Sequence, residues 1–205
     1  MNPLLEVKDV CLSYHSLSGE TAALSHISFH LMPEEFLAVV GPSGCGKSTL
    51  LNLICGLLHA ESGTILMNGK PLNKDSARIG YMLQRDCLLE WRTIFSNALF
   101  GLEVKGKKSK ENIEYVESLL KKYSLYDFKD KYPSEISGGM RQRAALIRTL
   151  AVKPKILLLD EAFCALDYQT RIMVTNDIYQ ILRQENITAL IVTHDISEAI
   201  SMSDR

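Results

Sequence analysis

The chain has 205 residues, 46% of them hydrophobic, enough for one substantial core or for a core with a small appended lobe. Lys and Arg number 23 against 24 Asp and Glu, and the formal charge of -1 offers no electrostatic footprint for DNA, RNA or an anionic membrane, so nucleic acid is not an expected partner. Five scattered cysteines without a C-x-x-C pair argue against a zinc module or a redox pair and fit a reducing cytosol, and no segment approaches the roughly 18 apolar residues needed to span a bilayer, so any membrane role is expected to be peripheral.

In chain order, Leu4 to Tyr14 and Ile27 to Met32 read as strands, and Phe36 to Val40 is a short apolar run ending at a glycine-rich loop. A helix after Ser48 carries Leu50, Leu51, Leu53, Ile54 and Leu57. The turn Glu61-Ser62-Gly63 leads into a strand from Thr64 to Met67, and Ile79 to Leu83 is another, ending beside Gln84. From Thr93 to Tyr132 the pattern is helical, with Ile113, Val116, Leu119, Leu120 and Tyr123 at spacings of three and four. The lysine-rich stretch 105–110 between two of these helices reads as a solvated loop. A helix from Gly139 to about Val152 stops before Pro154, which cannot continue it. Ile156 to Leu159 reads as a central parallel strand with Asp160 and Glu161 at its carboxyl end. A helix from Asp167 to Asn186, a strand from Thr188 to Thr193 and a helix from Ile196 to Met202 complete the chain. Strands alternating with helices predict an α/β fold with a parallel sheet, interrupted by a helical lobe.

Two stretches are suited to gripping phosphate. Gly41-Pro42-Ser43-Gly44-Cys45-Gly46-Lys47-Ser48 is a P-loop: its glycines let backbone N–H groups wrap an anion, Lys47 adds a full charge at a helix N-terminus, and Ser48 offers an oxygen to Mg²⁺. Ser137-Gly138-Gly139-Met140 opens a second helix equally ready for an anion. A self-contained nucleotide site needs only the first, so the pair points to a site shared between two molecules. Asp160 is the expected partner of Mg²⁺, a hard oxygen for a hard ion, and Glu161 is placed to take a proton from water attacking the γ-phosphate. Cys45 lies close to Lys47 and the helix start, surroundings that lower a thiol pKa, while for function it reads as a small residue at a tolerant position.

The P-loop, Gln84, Ser137-Gly138-Gly139, Ile156 to Glu161, Ala165-Leu166-Asp167 and Thr193-His194-Asp195 together resemble, in order, the motifs of ABC-type ATPase subunits. The resemblance implies one P-loop ATPase domain over 1–205. Its core, with an antiparallel β subdomain, would span approximately 1–92 and 153–205, and an inserted helical subdomain approximately 93–152. It implies ATP and Mg²⁺, and two cassettes packed head to tail, each ATP lying between one copy's P-loop, continued by Thr49, and the other's Ser137, Gly138 and Gly139. Gln84 would reach Mg²⁺ and the attacking water, His194 would hold the γ-phosphate, and Asp167 would face the second cassette. The signature here reads Ile136-Ser137-Gly138-Gly139-Met140 where the family commonly has L-S-G-G-Q, with the Ser-Gly-Gly core intact. Tyr14 fits the aromatic residue that stacks on adenine. Val10, Leu12 and Tyr14 also share one strand face, which leaves core packing as the other reading.

Arg85-Asp86-Cys87-Leu88-Leu89-Glu90-Trp91-Arg92-Thr93 and Met140-Arg141-Gln142-Arg143 look like the ATPases of importers for nitrate, sulfonates, taurine and pyrimidine precursors, in which proline commonly stands in place of Glu90. Trp91, the single tryptophan, reads equally as packing. What this implies is a subunit at the cytoplasmic face of the membrane that energises permease subunits fed by a solute-binding protein. An exporter, lipoprotein-release or cell-division ATPase is the alternative use. A soluble nucleotide kinase or switch NTPase is the alternative class, although Asn-Lys-x-Asp is absent and a kinase has no need of Ser137 to Gly139. The chain ends at Ser203-Asp204-Arg205, where family members are expected to begin another strand, so a C-terminus that is either truncated or naturally short, and an uncovered edge of the core, are expected.

Overall fold

The computed structural model describes residues 2–17, 19–72, 79–164 and 166–205; Ala165 of the Ala165-Leu166-Asp167 motif lies outside them. The chain opens with strands β1 (Leu5–Ser16), β2 (Gly19–Leu31) and β3 (Phe36–Val40), helix α1 (Lys47–Ile54), and strands β4 (Ser62–Met67), β5 (Lys70–Pro71) and β6 (Ile79–Met82). Helices α2 (Ile94–Val104), α3 (Lys110–Lys122) and α4 (Gly138–Leu150) follow. Strand β7 (Ile156–Asp160), helix α5 (Tyr168–Gln184), strand β8 (Thr188–Thr193) and helix α6 (Ile196–Met202) close it.

The strands make two sheets. One is antiparallel in the order β2-β1-β4-β5; the other is parallel in the order β3-β8-β7-β6. Every residue of β7 and β8 is buried, as an interior strand covered on both faces requires. Their side chains alternate between two cores. Leu157, Leu159, Ala189 and Ile191 point into a cluster built with α2, α3, α4 and α5, while Ile156, Leu158, Leu190 and Val192 join α1 and the antiparallel sheet. The parallel sheet is therefore the partition between two apolar layers.

The second strand is much longer than the expected Ile27 to Met32. It runs from Gly19, pairing back onto β1 as Tyr14↔Thr21, His15↔Glu20 and Ser16↔Gly19. This end of the hairpin is mostly exposed on both faces, so it carries no alternation of apolar and polar residues to reveal it. The expected inward face of β1 also breaks: pairing with β2 shifts between Val7 and Val10 and again between Leu12 and Ser13. Val10 and Leu12 stay buried, but Tyr14 is 47% exposed, which removes the core-packing reading.

Leu57, which reads from the sequence as part of the first helix, lies beyond its end, exposed. Gly56 at φ +71° lets the chain leave α1 through a Schellman turn, in which Leu57 N donates to Asn52 O at 2.9 Å. At the C-terminus, Asp204 N donates to Phe36 O and Ala38 N to Arg205 O, both at 2.8 Å. β3, an edge strand of the parallel sheet, is thus paired at its start by the last two residues. The Asp204 carboxylate takes the Phe36 N–H at 2.9 Å and an ion pair from Arg183, whose guanidinium lies 4.1 Å from the Phe36 ring centre.

Candidate functional site

Between β3 and α1 the P-loop makes a sharp reversal, with Gly44 at φ +81° and Gly46 at φ +98°. Gly46 is required twice over: its backbone is left-handed, and a Cβ there would meet Ala23 O of β2 at 2.3 Å. The hairpin that lacked a sequence signal therefore buttresses the loop. Gly41 lies against Cys45, whose Sγ would be 2.7 Å from a Cβ at 41. Ser43 and Gly44 form the turn between them, closed by Cys45 N donating to Pro42 O at 3.4 Å, and Cys45 is exposed.

Lys47 is buried, and its Nζ donates to Gly41 O at 2.8 Å and Pro42 O at 2.9 Å while lying 3.2 Å from Glu161 Oε1. Ser48 donates to Asp160 Oδ1 at 3.0 Å, and Tyr81 on β6 donates to Asp160 Oδ2 at 2.9 Å. The alternation of β7 explains this meeting: Asp160 falls on the same face as Ile156 and Leu158, the face that α1 covers. Burial, then the hydrogen bond to Asp160, holds the Tyr81 phenol well above its usual range, so it stays a donor. The Ser48 hydroxyl and Asp160 carboxylate are hard oxygens 3.0 Å apart, a donor set that fits Mg²⁺.

Glu161 leaves the strand in a left-handed conformation, φ +46°, with its N–H on Val192 O at 2.9 Å. That turn points its carboxylate back over the strand ends, where His194 Nδ1 stands 3.2 Å from Oε2. Cys164 Sγ is 3.9 Å from both Glu161 Oε2 and His194 Nδ1. Burial, with the charges of Glu198 and Glu161, pushes the Cys164 thiol up to about 11. Behind His194, Thr193 donates to the buried Glu198 carboxylate at 2.5 Å, and Asp195 caps α6 on Ser197 N and Glu198 N. Tyr14 reaches the same region by a 3.2 Å contact between its hydroxyl and Thr49 Oγ1.

The structure thus gathers Tyr14, Thr49, the P-loop, Asp160, Glu161 and His194, and does not bring in the rest. Gln84 stands exposed past β6 and makes no hydrogen bond among the described residues. Ser137 caps α4, accepting from Met140 N at 3.4 Å. Gly139 is buried where a Cβ would meet Val174 of α5 at 2.8 Å, so its lack of a side chain has a packing cause of its own. Ser137, Gly138, Gly139, Leu166 and Asp167 line one open cleft of about 580 Å³ that no P-loop residue lines. Asp167 caps α5 on Thr170 N at 3.1 Å.

Sequence reasoning missed Tyr81, Cys164 and Glu198. It also missed two arginines of α4: Arg141 binds Asp86 at 2.9 Å and Glu90 at 2.6 Å, and Arg148 donates to the carbonyls of Asp86 and Cys87. Burial raises the Asp86 carboxyl, but the Arg141 hydrogen bond and the Leu88 N–H outweigh it and hold the group below its usual range. Trp91 is 75% exposed and packs no core.

Residues 24–164 match the family profile described as ABC transporter. The chain is 46% identical to the uncharacterized ABC transporter ATP-binding protein YtlC of Bacillus subtilis, over 98% of this chain and 77% of that protein. It is 38% identical to the nitrate transport protein NasD of Klebsiella oxytoca, over 100% of this chain and 79% of that one. Among solved structures, cbiO1 of Clostridium perfringens, part of the ABC transporter complex cbiONQ, superposes with a TM-score of 0.86 at 28% identity, covering 100% of this chain and 83% of that chain.

Proposed function

This chain belongs to the ABC transporter family of ATP-hydrolysing subunits, and from that premise we propose that two copies, packed head to tail, energise solute import through membrane permease subunits. The observation that carries the reading is the polar cluster at the strand ends: Lys47 on Glu161, Ser48 on Asp160 and His194 on Glu161, all beside one P-loop. The P-loop N–H groups and Lys47 hold the ATP phosphates, Tyr14 stacks on adenine, and Ser48 and Asp160, with Gln84, hold Mg²⁺. Bound there, Mg²⁺ neutralises charge on the phosphate oxygens. Glu161 takes the proton from the attacking water, and His194 fixes the γ-phosphate. The partner copy supplies its Ser137, Gly138 and Gly139, with Asp167 at the seam. The cleft those residues line, free of P-loop residues, supports a contact made in trans.

The subunit works peripherally at the cytoplasmic face; among the described residues no helix is long and apolar enough to cross a membrane. The segment from Gln84 to Thr93 passes motion to the permease, and its grip by Arg141 and Arg148 supports that role by tying it to the helix that Ser137 opens. The solute belongs to the class of nitrate, sulfonates such as taurine, or pyrimidine-like compounds, delivered by a binding protein, and likeness to NasD supports the first of these.

Glu161→Gln tests the reading. General base catalysis contributes about 10² to 10⁴ in rate, so the variant should bind ATP, hydrolyse it slower by that factor and run as a nucleotide-dependent dimer in gel filtration. Near-normal turnover would remove Glu161 as the base. A monomer in saturating ATP would remove the shared site. Co-purified with its permease, the wild type should show ATPase activity stimulated by binding protein loaded with nitrate or a sulfonate.

A further inference from the structure

The hydrolytic reading has no use for Cys164, yet its thiol stands beside both groups that reading places nearest the reacting phosphate. Glu161 and Cys164 belong to one turn, closed by Cys164 N donating to Glu161 O at 3.1 Å, and Arg171 donates to Cys164 O at 3.4 Å. His194 comes from the end of the neighbouring strand β8, held in register by Glu161 N on Val192 O. Three different donor atoms, one oxygen, one sulfur and one nitrogen, all lie within 4.8 Å of one another.

We propose that Glu161 Oε2, Cys164 Sγ and His194 Nδ1 form a binding site for Zn²⁺, and that its occupation arrests ATP hydrolysis. The observed separations are 3.2 Å from oxygen to nitrogen and 3.9 Å from sulfur to each. A tetrahedral zinc with bonds of about 2.3 Å to sulfur and about 2.0 to 2.1 Å to nitrogen and oxygen sets its donors about 3.3 Å apart for nitrogen and oxygen and about 3.6 Å for sulfur and either. The donors therefore already stand within a few tenths of an ångström of coordination distance. Lys47 occupies the other carboxylate oxygen, Oε1, and leaves Oε2 to the metal. The His194 side chain is 45% exposed, which gives an entry path and leaves the fourth position for water.

The donor chemistry separates this site from that of Mg²⁺. A thiolate with an imidazole selects a softer ion, whereas Ser48 and Asp160 offer only hard oxygens. Binding replaces the thiol proton, which passes to solvent, with no change of oxidation state. Zinc so held occupies the free oxygen of Glu161 and fixes the imidazole ring of His194, the two groups that would act on water and phosphate. The inhibitory half of the proposal rests on the hydrolytic reading; the binding half does not.

The test uses the full chain, first freed of metal and titrated with Co²⁺ without nucleotide. The wild type should develop a thiolate-to-cobalt charge-transfer band that Zn²⁺ bleaches; Cys164→Ser should lack it, and Cys45→Ala should keep it. Even a lost partner of a metal ligand costs roughly 10- to 100-fold in affinity, so Cys164→Ser should need at least that much more Zn²⁺ for half inhibition of the Mg²⁺-ATPase, with basal activity retained. Absence of the band in the wild type, or its persistence in Cys164→Ser, would overturn the site. Equal Zn²⁺ inhibition of the two proteins would overturn the inhibitory role. Because the cobalt band is read without turnover, it stands or falls separately from the assignment of Glu161 as base.

Discussion

Asp160 is held at both oxygens, by Ser48 and by Tyr81, and the second hold sets its direction. A phenol that keeps its proton fixes one oxygen while the other faces the P-loop. Outer partners of this kind tune a metal site, so Tyr81→Phe should raise the Mg²⁺ concentration for half-maximal ATPase by roughly tenfold with little loss of fold, measured by Mg²⁺ titration at fixed ATP. Glu198 answers to pH instead. Burial, more than its hydrogen bond from Thr193, sets its carboxyl above the ordinary 4.5, so in the folded protein it keeps its proton to higher pH than in the unfolded chain. Its contribution to stability is then fully present below pH 4.5 and is lost as pH rises through the folded value. Glu198→Gln should remove that loss, and the difference in melting temperature between variant and wild type should grow in favour of the variant as pH rises from 4.5 through that window and then level off. A difference that shrinks over the same range would reject the assignment.

At the scale of elements, α4 carries two arginines along its length in addition to the glycines that open it. Arg141 and Arg148 are seven residues apart, two helical turns, so both face the chain from Asp86 to Glu90. Removing Arg141 leaves the largely buried Asp86 carboxylate short of a charged partner, and Arg141→Ala should cost about 1–3 kcal/mol in chemical denaturation and speed amide exchange at 86–90. Unchanged exchange there would mean that the segment is held by other means. That arginine spacing was visible in the sequence, but nothing in the sequence said what it faced, because the partners lie more than fifty residues away. The same divide runs through the molecule. Buried strands and the P-loop announce themselves through apolar runs and glycines, since burial and positive φ restrict residue type. The outer end of the β1–β2 hairpin is mostly exposed and carries positive φ only at Gly19, so its support of Gly46 could not be read.

At the scale of the whole molecule, the parallel sheet divides two apolar layers, and β7 serves both with consecutive residues. From the sequence, Ile156 to Leu159 was legible as a buried strand because both faces need apolar side chains, and for the same reason the run hid which residue faces which layer. Only the structure shows that Asp160 continues the face of Ile156 and Leu158, toward α1 and Ser48. The site is set by counting as much as by chemistry. A mutation that exchanges Leu for Ile or Val in this strand changes volume slightly, whereas one codon gained or lost between Lys155 and Asp160 turns every following side chain to the opposite layer. The acid would then face the layer of α2 to α5 instead of α1 and Ser48, with an aliphatic side chain in its place. Homologous genes should therefore vary freely in the spelling of this stretch and hardly ever in its length.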